Sequence, residues 1–237
     1  MIEMAYKHIF FDLDHTLWDY DTSAKQTLGE LYQKYDLGAV GVIDEGTLWN
    51  AFYHVNESLW DKYNKGQISK FLLRNGRFKF IFDELGISSR LLTDDIIDNF
   101  NKDYLYECPQ KPHLIPGAQE VLDECSGKYQ LHIITNGFQE VQGTKMSSSG
   151  LDVYFTHVIT SEEAKSKKPF PCIFEYALKK TDATKEESVM IGDNLQTDIK
   201  GARDFGMDHI YYNPRQEKHN DPVTHEVTRL ESLLQIL

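Results

Sequence analysis

Cysteine is scarce in this chain: Cys108, Cys125 and Cys172 are the three in 237 residues, an odd number, widely spaced and without a CxxC pair. Such usage reads as reduced, partly buried thiols in a cytosolic protein. Long apolar runs are also missing. None approaches the roughly 20 residues of a membrane span, and Met1 to His8 lacks the apolar stretch of a signal peptide. Positive charge is in short supply, with 25 Lys and Arg against 37 Asp and Glu, a formal charge of −12. That balance argues against nucleic acid or an anionic membrane as the main partner. A small anionic substrate remains compatible, because salt confines most charge effects to about 8 Å and a local cation can dominate a site. There is no repeat, no low-complexity tract and no GxxxxGK[ST] phosphate loop. What remains is ordinary globular composition, 41% hydrophobic and 26% charged. The expectation is a soluble, cytoplasmic protein.

Short apolar segments run into polar loops at several points. Ile9-Phe10-Phe11 meets Asp12, Leu131 to Ile134 meets Thr135-Asn136-Gly137, and His157-Val158-Ile159 meets Thr160-Ser161. Val189-Met190-Ile191 meets Gly192-Asp193, and Ile210-Tyr211-Tyr212 precedes Asn213-Pro214. Runs of this kind suit strands of a parallel sheet covered on both faces. Helical spacing lies between most of them, at Ala118 to Glu124, Pro171 to Lys180 and Thr197 to Phe205, the last closed by Gly206. Strand, loop and helix in alternation predict an α/β fold with a doubly wound parallel, Rossmann-like sheet.

Residues 21–106 break the alternation. Stripes at Ala24, Leu28, Leu31 and Tyr35, at Leu48, Phe52, Val55 and Leu59, at Phe78, Ile81, Phe82 and Leu85, and at Ile96, Ile97, Phe100 and Tyr104 predict successive amphipathic helices. Thr93 stands as an N-cap for the last. The expected organisation is a catalytic core of 1–20 with 107–237 and an inserted all-helical domain of 21–106.

Polar clusters at the expected strand ends carry the chemistry, since ligands of open α/β sheets bind at the carboxyl ends of strands. Asp12-Leu13-Asp14-His15-Thr16 places two carboxylates after an apolar strand, where bare charge is costly and a divalent cation resolves the conflict. A turn with a helix cap is the plainer meaning of those residue types. Gly192-Asp193 to Asp198 adds two more carboxylates, with capping of the next helix expected of Thr197 or Asp198. Thr135-Asn136-Gly137 offers a hydroxyl, an amide and backbone N–H groups to phosphate oxygens, although Asn-Gly is commonly a plain turn. Lys168 sits beside Pro169 before a helix, and Lys167 reads as a surface charge. Together these supply a carboxylate nucleophile, an acid/base, a cation site, a hydroxyl and a lysine. Phosphoryl transfer needs that set, because the anionic oxygens of a monoester repel an incoming nucleophile.

These residues resemble the motifs of the haloacid dehalogenase superfamily, in its phosphatase branch. Asp12-Leu13-Asp14-His15-Thr16 resembles the first motif DxDxT, Thr135 the second, Lys168 in Lys-Pro-Phe-Pro the third, and Gly192-Asp193 to Asp198 the fourth, GDxxxxD. The helical insert is similar to the cap of the first cap class. The resemblance implies Asp12 as nucleophile and Asp14 as the group that protonates the leaving oxygen and then activates water. It implies phosphate binding by Thr135 and Lys168, with Asn136 and Gly137 adding contacts. Mg²⁺ would be held by Asp12, the Asp14 carbonyl and Asp193. Asp198 and Thr16 would support these from behind, Asp198 by orienting Lys168 or a metal-bound water. Dehalogenases of the family lack the second Asp, so Asp14 ranks phosphate hydrolysis well above dehalogenation.

Asp12 to Tyr20, with Leu73-Arg74-Asn75-Gly76-Arg77-Phe78, further resembles the pyrimidine 5′-nucleotidase group that includes house-cleaning nucleotidases. That resemblance implies a nucleoside 5′-monophosphate substrate, met by Trp18, Arg74, Asn75 and Arg77, while Trp49, Phe52, Tyr53, Trp60 and Tyr63 are expected as core of the insert. The alternatives are a phosphatase of sugar phosphates or another small metabolite, and a non-catalytic phosphate-binding protein on the same fold. The last ranks low because every motif residue is present.

Overall fold

The computed structural model describes residues 6–87 and 90–237; the first five residues, part of the amino terminus considered above, lie outside the described residues. Six strands form one sheet: β1 (His8–Phe11), β2 (Gln130–Thr135), β3 (His157–Thr160), β4 (Ser188–Gly192), β5 (Asp208–Tyr212) and β6 (His225–Val227). Their order is β3-β2-β1-β4-β5-β6, and each neighbouring pair is parallel. The α/β class expected from the sequence is the class observed. Every residue of the central strands β1 and β4 is buried, which is why both read as apolar without alternation. β6 escaped the sequence reading because it is three residues long and exposes His225 and Glu226.

The chain divides into two compact units, one of residues 1–20 and 112–237, the other of 21–111. The second runs a few residues past the expected boundary because helix Asp94–Glu107 continues into a 3₁₀ turn, Cys108–Gln110.

The helical unit contains α1 (Tyr20–Lys34, whose first residue belongs to the sheet unit), α2 (Glu45–Asn64), α3 (Lys70–Asn75), α4 (Arg77–Glu84) and α5 (Asp94–Glu107). Helix α3 is too short to show a stripe and was not expected. The core forms where Phe52 of α2, Phe78 and Phe82 of α4, and Phe100 and Tyr104 of α5 meet. Phe78 lies 4.8 Å from Phe100 and 5.0 Å from Tyr104 between ring centroids. Asp44 caps α2 by accepting from the Thr47 N–H at 2.7 Å. Thr93 precedes α5 without a side-chain cap bond.

The sheet unit carries α6 (Ala118–Ser126), α7 (Gln139–Ser149), α8 (Pro171–Thr181) and α9 (Lys200–Phe205). One core cluster packs Phe10, Ile134, Ile159 and Met190 of the sheet against Ile173, Phe174 and Ala177 of α8 and Ala202 of α9. Each such large apolar side chain contributes about 1.5–3 kcal/mol by leaving water. Gly201 permits the α8–α9 approach, since a Cβ there would lie 2.8 Å from Phe174 Cε2 of α8 and 2.9 Å from the Cα of Pro169 just before that helix. The helix expected from Thr197 is instead a π-type turn, Leu195–Ile199, leading into α9, which closes on Gly206 at φ 85. Helix α7 was not expected, and it proves central to the site. Among the described residues, no helix is long and apolar enough to cross a membrane.

Candidate active site

Strand β1 has β2 on one side and β4 on the other, so the chain order reverses around it. This is the switch point at which open α/β sheets bind ligands. Asp12 follows β1, Thr135 ends β2 and Asp193 follows β4. Residues scattered over the sequence therefore meet at adjacent strand ends.

The loop after β1 doubles back on itself. The Leu17 and Trp18 N–H groups both donate to the Leu13 carbonyl at 2.9 Å, and His15 donates to the Trp18 carbonyl at 3.0 Å. His15 takes a left-handed φ of 65, the cost of a turn this tight. The Thr16 hydroxyl fastens this loop to the loop after β4: it donates to Asp193 Oδ1 at 3.2 Å and accepts from the Asp193 N–H at 3.1 Å.

Lys168 is the fixed cation. Its ammonium bonds Asp12, Asp198 at 2.7 Å and the Ile134 carbonyl at 2.7 Å, and the residue is 1% exposed. Burial pulls its pKa down, and the Asp12 and Asp198 carboxylates more than reverse that, so it stays charged. Asn136 clasps the Lys168 backbone from both sides, donating to its carbonyl at 3.0 Å and accepting from its N–H at 2.9 Å. Asn136 thus braces Lys168 through its side-chain oxygen and one amide hydrogen. Asp198 also accepts from the Asn194 N–H at 3.1 Å. Capping of the following turn falls to Asn194, whose side chain accepts from the Gln196 and Thr197 N–H groups at 3.0 Å, and not to Thr197 or Asp198.

Asp12, Asp193 and Asp198 bring one carboxylate oxygen each within 4.8 Å of the others. Burial raises the Asp12 pKa well above the ordinary carboxylate value; Lys168 opposes the rise, and Asp198 and Asp193 add to it. Burial and Asp198 likewise push Asp193 up. Three carboxylates face one ammonium, so the site is short of positive charge. Hard oxygen donors crowded in this way fit Mg²⁺, which takes carboxylate, carbonyl and water oxygens.

Asp14 turns away from that cluster. Its Oδ1 accepts from Lys145 Nζ at 2.5 Å and its Oδ2 from Gln142 Nε2 at 3.0 Å. Burial raises its pKa, but the Lys145 charge and the bonds from Lys145 and Gln142 more than reverse this, leaving it below the ordinary value. The Asp14 carboxylate is thus no part of the acidic cluster, and only its backbone carbonyl is available as the expected metal oxygen. Gln142 Nε2 also donates to Thr135 Oγ1 at 2.8 Å, and the Gly137 N–H donates to the same oxygen at 3.0 Å. With both donors accepted, the Thr135 hydroxyl hydrogen is directed elsewhere, where it can donate to a phosphoryl oxygen.

Gln142 and Lys145 were missed from sequence. The available signal was their spacing of three residues soon after Thr135, which places both on one face of a helix.

Trp18, expected to meet substrate, is fully buried, with Lys145 Nζ 4.6 Å from its ring centroid. It supports Lys145 instead. In the helical unit Arg74 is half-buried and Asn75 exposed. Arg77, expected to read a base edge, is 5% exposed, its guanidinium 5.8 Å and 5.7 Å from the ring centroids of Phe52 and Tyr104. Its place is in the core of that unit. Of the other aromatics expected there, Phe52 and Tyr63 are buried, while Trp49, Tyr53 and Trp60 are half-buried.

The chain is 32% identical over 238 residues to pyrimidine 5′-nucleotidase PynA of Streptococcus pneumoniae, covering 99% of this chain and 96% of that protein. It is 28% identical over 237 residues to pyrimidine 5′-nucleotidase YjjG of Escherichia coli, covering 99% of each. The crystal structure of the HAD-hydrolase YfnB of Bacillus subtilis bound to magnesium has the same fold, with a TM-score of 0.85 over 98% of both chains at 24% identity. Residues 9–212 match the haloacid dehalogenase-like hydrolase family, a span that holds β1 from its second residue, β2 to β5 and every motif residue described above, and the chain belongs to that family.

Proposed function

We propose that this hydrolase is a Mg²⁺-dependent phosphomonoesterase acting on nucleoside 5′-monophosphates, pyrimidines favoured. The observation that carries the reading is the arrangement of Asp12, with Lys168 bonded to it, next to Asp14 on a separate set of donors. Two carboxylates in one loop are thereby given different surroundings, Asp12 against Lys168 and Asp14 against Lys145 and Gln142.

The first step starts from Asp14 loaded with a proton from solvent, a form that its Lys145 and Gln142 contacts disfavour in the free protein: an Asp12 oxygen attacks phosphorus, the ester P–O bond breaks, and that proton goes to the departing oxygen. In the second, Asp14 takes a proton from water as the water oxygen bonds phosphorus and the Asp12–phosphorus bond breaks. Phosphate leaves, and both carboxyl groups return to their starting states. Lys168 neutralises charge on the transferring group and holds Asp12 in place, and the Thr135 hydroxyl donates to a phosphoryl oxygen. Asp12, the Asp14 carbonyl and Asp193 would hold Mg²⁺, whose charge offsets the repulsion between nucleophile and phosphate. Asp198 fixes Lys168 through their ion pair.

Every phosphate monoester shares the phosphoryl group, so selectivity must come from elsewhere. We assign it to the helical unit as a cap, with Arg74 and Asn75 as base-reading groups. The likeness to two pyrimidine 5′-nucleotidases over nearly the whole chain supports this choice. The test is phosphate release from a panel of nucleoside monophosphates, sugar phosphates and p-nitrophenyl phosphate, with Mg²⁺ and with chelator. Pyrimidine nucleotides should lead in kcat/KM, and chelation should stop turnover. Sugar phosphates ranking first would remove the nucleotidase assignment and leave the phosphatase standing. Full activity after exhaustive chelation would remove the metal. No hydrolysis of any monoester would remove the function.

A further inference from the structure

We infer that Lys145 and Gln142 of α7 form a positioning clamp that holds the Asp14 carboxyl group in one orientation for its work on the leaving oxygen. The inference rests on the phosphomonoesterase reading above.

The clamp takes one carboxylate oxygen in each jaw. Lys145 Nζ holds Oδ1 at 2.5 Å and Gln142 Nε2 holds Oδ2 at 3.0 Å, from positions one helical turn apart. A carboxylate bonded at both oxygens by two buried donors cannot rotate freely about its Cβ–Cγ bond. The Lys145 side chain is 7% exposed and Gln142 is 1% exposed. The face of α7 that points inward is built of Gln142, Lys145 and Met146, two of the three polar. Burying an ammonium and an amide is unfavourable unless both are partnered, and Asp14 is the partner they share.

Each jaw is itself braced. Lys145 Nζ stands 4.6 Å from the Trp18 ring centroid and 5.6 Å from that of Tyr20, two π faces that attract a cation. Trp18 is fully buried, so this platform is fixed. Gln142 presses on the backbone at Gly137, where a Cβ would come within 2.1 Å of Nε2. Its second amide hydrogen goes to Thr135 Oγ1 at 2.8 Å. One side chain thereby sets the distance between the proton-transfer group and the phosphate-binding hydroxyl.

The chemistry gives the clamp a role beyond packing. Proton transfer to the departing oxygen as the ester bond breaks requires the Asp14 carboxyl group to face that oxygen in one geometry. Bonds to both carboxylate oxygens keep the Asp14 group in that orientation, so little ordering remains to be done when the substrate arrives. The gain matters most where the leaving oxygen is a strong base. A nucleoside or sugar alkoxide needs the proton; p-nitrophenolate hardly does.

The experiment compares kcat/KM of the full-length enzyme with Mg²⁺ for p-nitrophenyl phosphate and for whichever alkyl phosphate the substrate panel ranks first. This parameter reports only the steps through formation of the phosphoenzyme. Lys145→Ala is expected to lose on the order of 10²-fold on the alkyl ester, the scale of general acid catalysis, and less than about 5-fold on the aryl ester. Lys145→Arg should restore most of the alkyl-ester activity, and Lys145→Gln provides the same comparison should the alanine variant fail to fold. Equal losses on both esters would overturn the inference and leave Lys145 as a packing residue. Failure of arginine to rescue would also overturn it. A wild-type protein inactive on both esters would instead remove the phosphatase reading, and the clamp with it.

Discussion

Replacing Lys168 by methionine removes one charge and keeps most of the apolar stem. In the native protein that ammonium lies between Asp12 and Asp198 and is 1% exposed. Without it, Asp12, Asp193 and Asp198 keep oxygens within 4.8 Å of one another and have no fixed cation. At an effective dielectric constant of about 20, unit charges at that separation repel by about 3.5 kcal/mol. Protonation of one carboxylate limits what the protein must bear, so the expected loss is that of breaking a buried pair from one side, about 3–5 kcal/mol. For a chain of this size each kcal/mol moves the melting temperature by about 2–4 °C, so Lys168→Met should melt about 6–20 °C below wild type in chelator. Addition of Mg²⁺ should raise the variant more than the wild type, because the ion binds the folded acidic cluster and no lysine competes for Asp12. Thermal melts followed by circular dichroism, with and without Mg²⁺, read both quantities. A Lys168→Met protein melting within about 2 °C of wild type in chelator would show that Lys168 does not hold the cluster together, since even the smallest expected shift is about 6 °C.

Gly192→Ala should disable the site from behind: its Cβ would lie 2.2 Å from Asp198 Oδ2, forcing aside the group that fixes Lys168. A displacement of about 1 Å at a reacting group costs on the order of 10²-fold, so kcat should fall by about that much in steady-state assays; unchanged kcat would contradict it. A second outcome concerns acid stability. Burial, helped by His8 and His157, lowers the His132 pKa to about 3. Below the unfolded value of about 6.5 the unfolded chain binds a proton that folded His132 refuses, so stability should fall by about 1.4 kcal/mol per pH unit from there toward the folded value. Urea titrations between pH 7 and 4 should show a shallower decline for His132→Phe than for wild type, and parallel declines would sink the assignment.

The strands and motif residues could be read from sequence because burial on both faces of a parallel sheet leaves compact apolar runs, each ending where polar chemistry begins. Asp12, Thr135 and Asp193 were legible as strand ends for that reason. Helix α7 was not. Its inward face presents Gln142 and Lys145 to Asp14, so it lacks the apolar stripe by which an amphipathic helix is recognised. The same polarity that hid the helix makes it functional. Asn136 shows a different limit: its type suits a phosphate contact, but only the folded geometry reveals that its side chain also braces the Lys168 backbone. Arg77 was misread because a cation in sequence looks exposed, whereas here aromatic faces and a buried helix start surround it. Helix α3 and strand β6 are too short for periodicity to register.

In the proposed mechanism Asp12 carries the phosphoryl group between the two steps. Rapid quenching of the enzyme during turnover of its best substrate with Mg²⁺, followed by acid proteolysis and mass spectrometry, measures this directly. The account predicts one added phosphoryl group on the peptide containing Asp12, and no adduct in Asp12→Asn, whose turnover should fall by at least about 10³-fold. Near-normal turnover by Asp12→Asn, or a phosphoryl group trapped on any other residue, would contradict it.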